Sequence, residues 1–123
     1  MAPAPPGRLK RRAEFLRVAA KGRKAPVHGL VLQALARDDD APARIGFTVT
    51  KKVGNAVVRN RTRRRLKEAA RLLFRAEPIA GADVVIIGRD ATRKRDFVEL
   101  MDDLRRALRK AGVPVIEAAC HAG

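Results

Sequence analysis

The sequence predicts a single α/β domain, on three observations. The stretch RIGFTVT at residues 44–50 alternates, with Ile45, Phe47 and Val49 on one side and Arg44, Gly46, Thr48 and Thr50 on the other, the period of a strand with one buried face. DVVIIGR, from Asp83 to Arg89, is a continuous β-branched run, as in a strand covered on both faces. Two longer segments, one between these strands and one after them, carry apolar residues at helical spacing. At 123 residues the chain suits one compact domain that buries about two-thirds of its unfolded surface.

In chain order, residues 1–7 (MAPAPPG) are Pro-rich and predict a disordered tail, with the domain over residues 8–112 and a C-terminal tail over 113–123. The segment from Arg11 to Lys21 brings Phe15, Leu16, Val18 and Ala19 near one side of a helix and ends at Gly22, which fits a C′ position. Pro26 stops further helix, and Val27 to Arg37 alternates as a strand, Leu30, Leu32 and Ala34 facing one way, Val31 and Gln33 the other. Asp38, Asp39 and Asp40 open a polar turn before RIGFTVT. The sheet is therefore expected to have an apolar side against helices and a second side that is polar and available.

Past Lys51, Lys52 and the Gly54-Asn55 pair, the chain enters a long helix. At 100° per residue, Val58, Thr62, Leu66, Ala69 and Leu73 fall within about 80° of arc and form a stripe for packing on the sheet. Arg59, Arg63, Lys67 and Arg71 follow one another at i, i+4 spacing, with Asn60 and Arg64 beside them. Like charges so spaced repel, and Glu68 is the only acid nearby, so an external anion is the natural compensation. The last helix carries Phe97, Leu100, Met101, Leu104, Leu108 and Ala111, opens on a capping box of Asp96 and Glu99, and stops at Gly112 before Pro114.

The formal net charge is +15, unevenly placed. Residues 8–24 hold eight basic side chains and one acid, residues 51–75 hold ten and one, and residues 76–123 balance eight against eight. Segregated charge of one sign attracts polyanions, nucleic acid first among them. A membrane surface fits less well, because Trp and Tyr are absent and the basic helix has a weak apolar face. No run of about 20 apolar residues and no secretory signal occurs, so a soluble, cytoplasmic protein is expected. Neither His28 nor Cys120 has a companion for nucleophilic catalysis, two histidines and one cysteine supply no structural metal site, and the aspartate triplet reads as a solvated loop. GNAVVRN lacks the spacing of a glycine-rich phosphate loop. The residues thus give a nucleic-acid-binding domain with no catalytic residues of its own; RNA is favoured over DNA because the basic helix sits between strands rather than in a small helical module.

The segment KKVGNAVVRNRTRRRLKEAAR after RIGFTVT closely resembles the RNR signature of the bacterial ribonuclease P protein component family. The resemblance runs outward through RLKRRAEFLRVAAKGRKAPVHGLVLQAL and through DVVIIGR with its following helix, from about Arg8 to Gly112. It implies a small α/β sandwich of order αβββαβα with a left-handed βαβ crossover, contrary to the usual right-handed rule. It implies a protein subunit, without obligate protein partner or membrane, that joins a catalytic RNA and precursor tRNA to remove the 5′ leader. Mg²⁺ would be bound mainly by the RNA subunit and substrate. Arg59, Asn60, Arg61, Arg63, Arg64, Arg65 and Lys67 fall on the motif that meets the catalytic RNA. Arg65 also lies beside the apolar stripe of its helix, at the edge of the core. Phe15, Val31, Gln33, Thr48, Thr50, Lys51 and Lys52 match a cleft for the single-stranded leader. Ala19 and Gln33 stand where relatives often carry aromatics, so stacking falls to Phe15. The alternative is a structural RNA-binding protein, such as a ribosomal protein or an RNA chaperone, with a DNA-binding regulator third.

Overall fold

The computed structural model describes residues 7–113 apart from 38 and 40; of the expected tails over 1–7 and 113–123, residues 1–6 and 114–123, with Cys120 and His121, lie outside the described residues. The elements are β1 (Gly7–Arg8), α1 (Arg12–Lys21), β2 (Arg23–Pro26), β3 (Leu30–Ala36), β4 (Arg44–Val49), a 3-10 turn (Lys51–Val53), α2 (Ala56–Ala76), β5 (Ala82–Gly88), α3 (Asp90–Lys94) and α4 (Phe97–Ala111). The expected series αβββαβα is present as α1 to β5 and α4; β1 precedes it and α3 is inserted before its last member.

Three expectations change in detail. Gly7, assigned to the tail, pairs with Arg44 as part of β1, its N–H donating to Ala43 O. The strand read from Val27 to Arg37 begins only at Leu30, because Val27 to Gly29 turns the chain back from β2, closed by Val27 N–H to Leu30 O at 2.9 Å. Gly22 ends α1 in extended rather than left-handed conformation (φ −82°, ψ 171°).

One five-stranded sheet runs β1-β4-β5-β3-β2, antiparallel at β2–β3 and β3–β5 and parallel at β4–β5 and β1–β4. The alternation of β3 and β4 decides the layers. Leu30, Leu32, Ala34, Ile45 and Val49 point into a core shared with Leu66, Ala69, Leu73 of α2 and Leu100, Leu104, Ala107 of α4. The opposite face carries a smaller cluster, Leu9, Val18 and Val85 with Phe15, Leu35 and Ile87, under α1 alone.

The handedness of the β4–α2–β5 connection follows from chirality. Ile45 turns its carbonyl toward β1, accepting from Leu9 N–H at 3.1 Å, and its side chain into the core on the α2 side. For an L-residue in a strand these two directions fix the third: seen from α2 with β4 running upward, β1 lies on the right and β5 on the left. A crossover in front of the sheet that moves leftward is left-handed, against the common rule.

Polar contacts set α1 on its face. Asp83 is 4% exposed and accepts from Arg44 at 2.9 and 2.7 Å and from Arg37 at 3.1 Å. Arg44 reaches on to Glu14 of α1 at 2.6 Å, and Glu14 also accepts the Lys10 and Arg11 N–H groups at the helix start. These backbone donors, and then the Arg44 charge, hold the Glu14 carboxyl below its ordinary value, while hydrogen bonding to Asp83 raises Arg44.

Asp83→Ala removes the shared acceptor of two guanidinium groups, and the melting temperature is expected to fall by an amount equivalent to about 2–3 kcal/mol; a fully enclosed pair would cost more, but Arg44 is 38% exposed and screened. Because the folded value of Glu14 is depressed, its contribution is complete above the ordinary 4.5 and is lost as pH falls through the lower folded value. The melting temperature therefore drops over that acid window, and Glu14→Gln makes the drop shallower.

Candidate RNA-binding surfaces

The long helix α2 begins where β4 ends. Gly54, at φ 156°, adopts a backbone conformation that side-chain-bearing residues rarely take, and a Cβ there would lie 2.9 Å from Val58. Asn55 then caps the helix, its Oδ1 accepting from Val58 N–H at 3.0 Å. Thr62, Leu66, Ala69 and Leu73 of the expected stripe are buried, with Ala70 and Phe74 added and Val58 half-buried against the same core. Burying that stripe turns the basic one outward.

The RNR-segment residues divide by environment. Asn60, Arg61, Arg64 and Lys67 are exposed, and Arg59 and Arg63 are half-buried. Arg63 donates to Asn60 Oδ1 at 2.9 Å, and the Arg59 Nε is enclosed without a partner among the described residues. Glu68 is taken by Arg71, whose guanidinium holds that carboxyl below its ordinary range. Arg61, Arg64 and Lys67 consequently have no carboxylate partner among the described residues. Arg65 differs: it donates to the carbonyls of Thr92 (2.7 Å) and Arg95, so its guanidinium ties α2 to the α3–α4 junction. Its place on the edge of the apolar stripe was the signal for this.

Across the sheet, strand register builds a groove in rows. Leu35, Asp83 and Arg44 form the first, Gln33, Val85 and Gly46 the second, Val31, Ile87 and Thr48 the third. Phe15 lies over the second row so closely that a Cβ on Gly46 would be 2.5 Å from its ring. Only glycine admits the aromatic there. The ring is half-buried, and Val31, Gln33, Thr48 and Ile87 remain half-buried beyond it. Thr50, Lys51 and Lys52, all exposed, follow the end of β4 and lead toward the start of α2. Lys24, not singled out by the sequence, pairs with Gln33 and adds a cation to the rim; the strand RKAP that positions it had no readable alternation.

The sheet face under α1 is thus half-covered, with one aromatic packed on it, and β4 leads through residues 50–55 into a helix whose outer face is basic. It suits an extended polyanion with stackable bases. No group of three or more His, Cys, Asp or Glu that could hold a metal ion occurs among the described residues, and no described helix is long and apolar enough to cross a membrane.

The chain is similar to known proteins at the level of sequence and fold. The Ribonuclease P family pattern matches residues 5–112. A ribonuclease P protein component of Gluconacetobacter diazotrophicus is 73% identical over 106 residues, covering 86% of this chain and 91% of the relative. One from Paramagnetospirillum magneticum is 53% identical over 109 residues, covering 85% and 82%. Among solved structures, a Staphylococcus aureus RNase P protein mutant with defective mRNA degradation activity superposes with a TM-score of 0.74 at 28% identity, over 87% of this chain and 89% of that one. The RNase P protein from Thermotoga maritima gives 0.71 at 27%, over 84% and 96%. With its outward basic helix, its left-handed crossover and these matches across nearly the whole described domain, the chain belongs to the ribonuclease P protein component family.

Proposed function

We propose that this protein acts in tRNA 5′ processing as the RNA-binding, non-catalytic subunit of ribonuclease P, holding the catalytic RNA with the outer face of α2 and the leader of precursor tRNA in the groove under α1. The observation that carries this reading is the placement of two unlike surfaces at one end of the sheet: the groove floor runs out along Thr48 and Thr50 to Lys51 and Lys52, and the chain then turns directly into the basic helix.

The chemistry of each surface supports its role. Arg61, Arg64 and Lys67 offer guanidinium and ammonium donors with no internal carboxylate, so phosphate oxygens replace water rather than an existing ion pair. Asn60 contributes an amide, and the N-terminal end of α2 adds the positive end of its dipole. In the groove, Phe15 supplies a stacking surface, Thr48, Thr50 and Gln33 supply hydrogen-bonding groups, and Lys24, Lys51 and Lys52 supply charge at the rim. Such a groove holds single-stranded nucleic acid by shape, stacking and charge rather than by a base code. Hydrolysis itself is assigned to the RNA subunit, with Mg²⁺ held there and by the substrate, as the family resemblance implies. What the protein contributes is position: the leader is fixed, and the adjoining scissile region is presented to the RNA bound at the same end of the sheet.

Replacing Arg61 and Arg64 by Ala is expected to weaken binding to the catalytic RNA and flatten the log–log salt dependence by about one unit for each phosphate no longer neutralised, read by fluorescence anisotropy across a salt series. Arg65→Ala should act differently, lowering the melting temperature by freeing the α3–α4 junction, with little change in the salt slope. Phe15→Ala is expected to leave assembly intact but to weaken holoenzyme binding of precursor tRNA by about 1–3 kcal/mol, the worth of one stacked base, while mature tRNA is unaffected. Equal losses on precursor and mature tRNA would contradict the groove assignment.

A further inference from the structure

Away from both surfaces, a recess of about 460 Å³ opens between the β2–β3 turn and α4, lined by Pro26, Val27, His28, Arg95, Asp103, Arg106, Arg109 and Lys110. It lies on the face of the sheet opposite α1, so it is no part of the groove. Arg105 reaches from α4 to Glu77 beyond the end of α2, whereas Asp103 and Lys110 turn to the β2–β3 turn on the other flank.

The charges around it are sorted in an informative way. Elsewhere in the C-terminal third, Arg89 donates to the Val27 carbonyl at 2.8 Å and the other basic groups are matched by carboxylates: Arg93 and Lys94 with Asp90, Arg95 with Asp103 and Glu99, Arg105 with Glu77 and Asp102. Asp103, the only acid lining the recess among the described residues, is 1% exposed and held by Arg95 through two bonds of 2.9 and 3.1 Å. Its charge is answered and enclosed, so it does not repel an anion at the mouth. Arg106 and Arg109 are exposed and have no acceptor among the described residues, and Lys110 is steadied at the rim by Pro26 O at 3.2 Å. Of the four basic groups in this segment that have no carboxylate partner among the described residues, Arg106, Arg109 and Lys110 therefore gather at one concavity, and Arg89 is bound to the Val27 carbonyl.

We propose that this recess is a second phosphate-binding site, in which Arg106, Arg109 and Lys110, with the exposed imidazole of His28, grip the sugar-phosphate backbone of an RNA strand that the α2 face does not reach. Planar guanidinium groups at i and i+3 on one helix can each take a pair of phosphate oxygens, and the neutralised floor leaves attraction as the net field. The site rests on the assignment of this chain to a ribonucleoprotein, and adds to it a contact on the far flank of α4. A protein gripping RNA from both flanks of the α2–α4 layer resists rotation on it, which a single basic helix does not.

The test uses the full chain with Arg106→Gln and Arg109→Gln together, with the Lys pair as charge-retaining control, in anisotropy titrations against ribonuclease P RNA and, in the assembled holoenzyme, against precursor tRNA. The Gln pair is expected to keep its melting temperature, lose about tenfold in affinity for one of the two RNAs at low salt, and lower the salt slope by about one to two units, while the Lys pair stays near wild type. Loss toward the catalytic RNA makes the recess an assembly surface, and loss toward precursor tRNA alone makes it a substrate surface; either supports the site. Unchanged affinity and slope for both RNAs, in an assay where Arg61→Gln with Arg64→Gln weakens binding, overturns it. Wild-type protein that binds neither RNA overturns the functional assignment itself, and is recognised by the Arg61 and Arg64 variant having nothing to lose.

Discussion

Two parallel strands that are neighbours in a sheet cannot be joined by a tight turn, and this constraint organises the molecule. β4 and β5 are such a pair, so the chain between them has to cross a face of the sheet, and α2 is that crossing. Once a helix is obliged to lie there, its apolar stripe is consumed by Ile45, Val49 and the α4 core, and the opposite stripe is left in water. The arginines of the 59–67 segment are thus placed by the core rather than by each other. Without an external anion the helix carries repulsion at i, i+4 that the packed stripe has to outweigh.

The other face is covered by α1 alone, and that difference makes a groove. α1 is set by few contacts: Val18 on Val85, Phe15 across Gly46, and the chain of charges from Glu14 through Arg44 to Asp83. The ion pairs sit at one end of the strands, and the third row, Val31, Ile87 and Thr48, stays open at the other. Had a bulkier residue stood at position 46, the aromatic could not have settled on the sheet, and the helix would have had to stand further off. One glycine therefore sets how closely α1 approaches the sheet.

Much of this was legible in the sequence because period reports burial directly. The alternation of RIGFTVT placed Thr48 on the face opposite Ile45 and Ile45 in the core, and helical spacing separated Leu66 and Leu73 from Arg64 and Lys67. What the sequence did not reveal was set by distant partners. β1 is two residues long and exists only because β4 offers a free edge; α3 is a single turn stabilised where Thr92 is buried against the Gly29 carbonyl. The approach of Phe15 to Gly46 joins positions 31 residues apart with no local signal between them. Handedness was carried by the family resemblance alone, since a hydrophobic pattern is the same for either hand of crossover. Arg65, grouped with its neighbours by residue type, faces the α3–α4 junction because of its angle on the helix.

The most direct test of the account is cleavage of a 5′-labelled precursor tRNA by a bacterial ribonuclease P RNA at low Mg²⁺, with and without this protein. The protein is expected to restore cutting at the mature 5′ end. Protein that binds the RNA yet leaves both the rate and the position of cleavage unchanged would contradict it, and would leave a basic RNA-binding domain with no part in presenting the leader.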